Sequence, residues 1–288
     1  GERNAVAAAR PPVMDGLWND YPHSLIQASS ASVGLPAGQM GSSEVGHLNI
    51  GAGRVVYQEI ARVNRAIEDG TFFSNPELIA AVDAAKETGG ALHIMGLLSD
   101  GGVHSHQDHI HAMLRMAVER GAPHVFVHAF LDGRDAPPQS AHTYLDRLQA
   151  AIDEAGGGQV ATLVGRYYAM DRDRRWERVQ AAYDLVTQGK GHTARDAHAA
   201  VDAAYERGET DEFIGPTAMV DEDGAPVGTI GDGDAVVFMN FRSDRARQIT
   251  RPFIEPDFDC FERPVVPKLE RFVCLTEYND AFHVPIAL

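Results

Sequence analysis

From about Val56 onward the chain alternates two kinds of segment, and that alternation most narrows the folds open to it. Ile60, Val63 and Ile67 fall at helical spacing, and so do Leu78, Ile79 and Val82 behind a Pro76 suited to a first helical turn. Continuous apolar runs follow at Leu92–Leu98, Val125–Phe130 and Val160–Val164. Between them lie helical patterns through Ile110, Met113, Leu114 and Ala117, and through Tyr144, Leu145, Leu148 and Ile152. Helices around Val179–Val186 and Ala199–Tyr205 precede further runs at Ala235–Asn240 and Arg271–Thr276, with a short helix between those two. Runs that are apolar throughout belong to strands covered on both faces. The pattern therefore predicts an α/β fold, a mostly parallel sheet flanked by helices.

The first 55 residues differ: they are rich in Gly, Ser and Pro, with little periodicity between Ser29 and Gly41, and read as an irregular active-site segment. At 288 residues, one large domain or about two are expected. The chain starts without a methionine and ends on the apolar Val284-Pro285-Ile286-Ala287-Leu288, with no closing helix or polar tail, so a fragment is expected. No repeat or low-complexity tract interrupts it.

Charge excludes several function classes. A net charge of −16 opposes adhesion to nucleic acid or to an anionic membrane, and no apolar run approaches the roughly 18–20 residues of a bilayer span. Cys260 and Cys274 are too few for a disulfide framework, and Gly1–Arg10 does not resemble a signal peptide. A cytoplasmic protein acting on a small molecule is expected.

Ligands of open α/β sheets bind beyond the carboxyl ends of the strands. After Leu92–Leu98 comes Ser99-Asp100-Gly101-Gly102-Val103-His104-Ser105-His106, and after Val125–Phe130 comes Leu131-Asp132-Gly133-Arg134-Asp135. Val160–Val164 is followed by Gly165-Arg166 with Arg172 beyond, and the run from Ala235 by Asn240-Phe241-Arg242-Ser243-Asp244-Arg245. Five arginines and a histidine at four strand ends suit a ligand bearing phosphate and carboxylate, because guanidinium is a permanently charged fork of donors. The alternative is that each arginine pairs with a nearby aspartate on a solvated loop.

Ser43, in Met40-Gly41-Ser42-Ser43-Glu44-Val45-Gly46-His47, stands between glycines ahead of a helical segment, where small neighbours leave the approach to a nucleophile open. Ser-Ser beside glycine is also the composition of an ordinary turn. A third pattern, His104-x-His106-x-Asp108-His109, has the zinc-ligand spacing of metallo-β-lactamase-fold hydrolases, with Gly191-His192-Thr193 as a further ligand turn. Against it, that fold places antiparallel sheets around the motif. His109 and His111 are alternatively expected on the polar face of the following helix.

In order along the chain, Gln39 to Arg54, Gly96 to His106, Leu131 to Asp135, Val164 to Asp173 and Phe238 to Arg245 resemble the 2,3-bisphosphoglycerate-independent phosphoglycerate mutases of the alkaline phosphatase superfamily. The resemblance implies interconversion of 3-phosphoglycerate and 2-phosphoglycerate through a phosphoserine beside two divalent metal ions, usually manganese, in a monomer. It implies that Ser43 is the nucleophile and a metal ligand. By the same matches His104, Arg134, Asp135, Arg166, Arg172, Arg242 and Arg245 grip the substrate, with Asp135 also handling protons at the hydroxyls. On the family pattern Gly1–Tyr57 is a partial phosphatase domain of alkaline-phosphatase-like α/β type, and Gln58–Leu288 is the inserted transferase domain. Ser42 stands where the family usually has asparagine. The remaining metal ligands and a catalytic lysine are expected before Gly1 and after Leu288, so the chain alone is expected to be inactive. Two alternatives stay open: a phosphoglycerate-binding module without activity, and the zinc hydrolase.

Overall fold

The computed structural model describes residues 5–41 and 43–288, in two compact units, Gly1–Gln58 and Glu59–Leu288. Ser42 lies outside the described residues.

The larger unit is built on a seven-stranded sheet of order β4-β5-β3-β2-β1-β6-β7. Its strands are β1 Ala91–Leu97, β2 His124–Leu131, β3 Gln159–Gly165, β4 His192–Ala194, β5 Thr217–Met219, β6 Ala235–Phe238 and β7 Arg271–Cys274. All pairings are parallel except β3 with β5. The α/β expectation is met, and the five apolar runs are β1, β2, β3, β6 and β7. The last two runs leave the ladder two residues early, at Phe238 and Cys274. Strands β4 and β5 escaped the sequence reading because three residues are too few to show a period.

Alternate residues of the central strands feed two cores. Leu92, Ile94, Val127, Ala129, Leu163 and Val237 pack in one; Met95, Leu97, Phe130, Val164, Val236 and Phe238 pack in the other. The first is covered by helices α4 Glu59–Glu68, α5 Pro76–Thr88, α6 Gln107–Glu119, α7 Ala141–Ala155 and α10 Ala197–Glu206. The second is covered by α8 Arg166–Ala169, α9 Trp176–Gln188 and α11 Arg247–Ile254. Burying a large aliphatic side chain is worth about 1.5–3 kcal/mol, so two apolar faces outweigh any preference of these strands for solvent. Helix α5 shows the local logic: Asn75 accepts hydrogen bonds from the amides of Glu77 and Leu78, Pro76 opens the first turn, and Gly89 at φ 69° closes the last. Among the described residues no helix is long and apolar enough to cross a membrane.

One polar line crosses the buried sheet. His93 on β1 meets His128 on β2 at 2.8 Å and Asp234 at 3.1 Å, and His128 meets the hydroxyl of Thr162 on β3 at 2.9 Å. With Asp234 accepting from His93, each imidazole donates once and accepts once, so no nitrogen is stranded. Burial drives the pKa of His128 well below that of a free imidazole, with the adjacent His93 adding to the effect.

The smaller unit holds α1 Ala5–Ala9, α2 Pro12–Asp20 and α3 Ser43–Ala52. The expected irregular stretch between Ser29 and Gly41 contains one 3-10 turn, Ser30–Val33. Its core is small, Val33, Leu35 and Val45. Asn49 ties it together, donating to the carbonyls of Val33 and Val45 and accepting from the Val56 amide.

Candidate active site

Strands β3, β2, β1 and β6 are neighbours and run the same way, so the segments leaving their carboxyl ends lie side by side. The chain winds outward from β1 through β2 to β3 and later returns to β6 on the other flank of β1. The β1–β6 boundary is thus the switch point at which open α/β sheets place ligands. His104, Arg134, Asp135, Arg166, Arg172, Arg242 and Arg245 all belong to these four segments.

Asp132, at the end of β2, organises one side. Its Oδ2 accepts from the Ser99 hydroxyl at 2.6 Å, and its Oδ1 accepts from the amides of Arg134 and Asp135 and from Arg166 Nη1 at 2.7 Å. The same Nη1 donates to Asp135 Oδ2 at 2.5 Å. Burial alone would depress the pKa of Arg166, but the hydrogen bonds it donates to Asp135 and Asp132 and their charges outweigh it, and the guanidinium is held more firmly protonated than usual. Gly165, just before this arginine, has no room for a Cβ, which would overlap the carbonyl of Glu212.

Asp244 organises the other side. It receives Arg172 Nη1 at 2.6 Å on Oδ2 and Arg242 Nε at 3.1 Å on Oδ1. Buried between the two sides is His104, with Nε2 4.0 Å from Asp135 Oδ2 and Nδ1 3.6 Å from Asp244 Oδ1. Its carbonyl accepts the Phe241 amide at 2.8 Å, which locks the β1 segment to the β6 segment. Burial and the charge of Arg166 push its pKa down to about 4 against the pull of Asp244 and Asp135. Near pH 7 the ring is neutral and offers one donor and one acceptor.

The arginines divide into three kinds. Arg166 is buried between two carboxylates. Arg134, Arg172 and Arg242 are exposed, each with a single acidic partner: Glu212 at 3.5 Å for Arg134, and Asp244 for the other two. Arg245 donates to the Met170 carbonyl at 3.0 Å and, among the described residues, forms no ion pair. Its pKa is lowered by burial and by the charges of Arg172, Arg166 and Arg134. The solvated-pair alternative thus describes part of the set, while Arg245 is a cation facing cations, a surplus that attracts an anion.

Sequence reasoning assigned no role to Asp132, Asp244 or Ser99, although each stands within two residues of a named side chain or inside the same motif. Carboxylates interleaved with arginines were the available signal.

The zinc spacing is not realised. His104 faces Asp135 and Asp244, His106 caps α6 by accepting from the Asp108 amide, and His109 is buried with Nε2 2.6 Å from Asn64 Oδ1. His109 was expected on a polar face; the amide of Asn64 on α4 gives it a partner inside the core instead. Among the described residues, no three or more His, Cys, Asp or Glu gather as metal ligands. The described side chains therefore do not by themselves assemble a site for the two divalent ions that the family resemblance implies.

Ser43 belongs to the smaller unit. It is the first residue of α3, exposed, with Oγ 3.2 Å from His47 Nδ1. Amides at a helix start are oriented to receive an anion, such as a phosphoryl group on that hydroxyl.

The fold is a mostly parallel α/β sheet whose switch point is lined by arginines and carboxylates. Residues 63–280 match the family described as "BPG-independent PGAM N-terminus". The 2,3-bisphosphoglycerate-independent phosphoglycerate mutases of Thiobacillus denitrificans and of Shewanella baltica strain OS185 are 59% and 60% identical to it over 285 residues, 99% of this chain and 55% of each relative. A Leishmania mexicana phosphoglycerate mutase crystallised at low cobalt concentration superposes with a TM-score of 0.82 at 37% identity, covering 93% of this chain and 50% of that one. The chain belongs to the BPG-independent phosphoglycerate mutase family. It spans about half the length of these relatives, and the zinc-hydrolase alternative is set aside by the family and by the parallel sheet.

Proposed function

We propose that this chain carries the nucleophile and the substrate grip of a phosphoglycerate mutase, a cytoplasmic, monomeric glycolytic isomerase that interconverts 3-phosphoglycerate and 2-phosphoglycerate. The observation that carries the reading is the convergence of Arg172, Arg242 and Arg245 with His104 and Asp135 at the switch point. In this reading Gly1–Tyr57 is the partial phosphatase domain and Gln58–Leu288 the transferase domain.

The substrate carries a carboxylate and a phosphate, and Arg134, Arg172, Arg242 and Arg245 hold both. Ser43 accepts the phosphoryl group from one hydroxyl and returns it to the other. Between the two transfers the glycerate must stay bound and turn, which several guanidinium groups permit because each can exchange one oxygen for another. Asp135, anchored by Arg166, takes and returns the hydroxyl proton, and neutral His104 donates a hydrogen bond without adding charge. Two divalent ions, manganese in this reading, belong to the whole protein, where Ser43 is the ligand this chain contributes.

Calorimetric titration of the 288-residue chain with 3-phosphoglycerate tests the reading. Saturable binding with no conversion to 2-phosphoglycerate is expected. Absence of binding overturns the substrate assignment, and turnover by this chain alone overturns the assignment of metal chemistry to the whole protein.

A further inference from the structure

Resting on that reading of the site, we propose that Asp244 is a built-in substitute for the substrate's anion: its carboxylate occupies the arginine subsite until a ligand carboxylate or phosphate displaces it. Asp244 stands where three strand ends meet, bonded to Arg172 from the β3 side and to Arg242 from the β6 side, and facing His104 from β1. Two trigonal oxygens shared between guanidinium groups are the same arrangement that a ligand carboxylate would present.

Its bonding differs from that of the structural carboxylate nearby. Asp132 is almost fully buried and has its oxygens filled by a hydroxyl, two amides and a guanidinium. Asp244 is 27% exposed at the side chain; its Oδ1 is sealed from solvent yet accepts no hydrogen bond of good geometry. Opposite it, His104 Nδ1 is also buried without a partner. The two atoms lie 3.6 Å apart, and once Asp244 turns away the His104 nitrogen is left to donate to a bound anion.

Asp244 also sits on the 3-10 turn Ser243–Arg245, two residues after Arg242 and next to Arg245, so rotation of its side chain frees Arg172 and Arg242 without moving a strand. While it is engaged, its charge offsets the repulsion among Arg172, Arg242 and Arg245. A ligand that replaces it must break the charge-assisted hydrogen bond from Arg172 and the ion pair with Arg242, which lowers affinity and permits release. Arg245, beside it and without an acidic partner, remains available for first contact with the incoming anion.

The test is calorimetry on the full 288-residue chain with Asp244→Asn, Asp244→Ala and Asp244→Glu, each titrated with 3-phosphoglycerate and with inorganic phosphate. The Asn and Ala variants should bind both anions about tenfold more tightly than the parent, the scale of one charge-assisted hydrogen bond, with a steeper loss of affinity as salt rises. The Glu variant, which keeps the competing charge, should not tighten. A residue that merely positions the arginines would give the opposite sign, so unchanged or weaker binding in both the Asn and the Ala variants overturns the proposal. Thermal melts establish that each variant is folded; Asp244→Ser replaces either neutral variant that is not. Binding by the parent tests the site reading, and the ratio of variant to parent tests Asp244, so the two fail separately.

Discussion

Arg166 and Asp132 meet at 2.7 Å with their side chains 2% and 1% exposed, a buried ion pair that joins the end of β3 to the end of β2. A pair so fully removed from water draws on further partners: Asp135 takes the same nitrogen, and Ser99 and two amides complete Asp132.

Removing one partner should expose that dependence. Asp132→Ala leaves the buried Arg166 with Asp135 alone and is expected to destabilise the chain by about 3–5 kcal/mol in urea unfolding. A loss below about 1 kcal/mol would mean that Asp135 suffices and that Asp132 does not organise the site.

Arg245→Ala is expected to weaken 3-phosphoglycerate binding by about 1.5–3 kcal/mol, the range for hydrogen bonds to charged groups. Arg242→Ala should fall at the lower end, since it removes an arginine already shared with Asp244. If calorimetry finds both variants equal to the parent, the anion site lies elsewhere.

Acid should unfold the protein through its buried imidazoles. From an ordinary value of 6.5, burial and Arg166 bring His104 down to about 4, and burial with His106 brings His109 down to about 3. Below pH 6.5 the unfolded chain takes up protons that the native chain refuses. The stabilisation is complete above that pH and is lost as pH falls toward the folded values, by about 1.4 kcal/mol per pH unit for each group. His109→Gln can keep a bond to Asn64 but not the titration, so the slope of unfolding free energy between pH 6 and 4 should drop by roughly that amount for one group. An unchanged slope would show that His109 does not contribute to it.

Ser43→Ala in the whole protein should abolish both turnover and the phosphopeptide covering Gln39–Arg54 after incubation with 3-phosphoglycerate, while substrate still binds the larger unit. Phosphate found on Ser42, or an active Ser43→Ala protein, would move the nucleophile. Ser42→Ala is expected to be mild.

The sequence by itself determined the α/β class, because an apolar run without alternation has only one kind of strand to become, and the helices between such runs must cover both faces. It also determined that the segments carrying His104, Arg134, Arg166 and Arg242 lie at one edge of the sheet, since whatever follows a parallel strand emerges at the same edge. The short β4 and β5 stayed hidden, and His109 was misplaced because its partner Asn64 lies 45 residues away. Only the tertiary structure decided how the charges are shared out. Arg166, Arg172, Arg242 and Arg245 look alike in sequence, each close to an aspartate. One is buried between two carboxylates, two share Asp244, and one has no acidic partner among the described residues. Ion pairing depends on distances of a few ångströms between side chains brought together by strand order, and chain spacing carries no record of those distances.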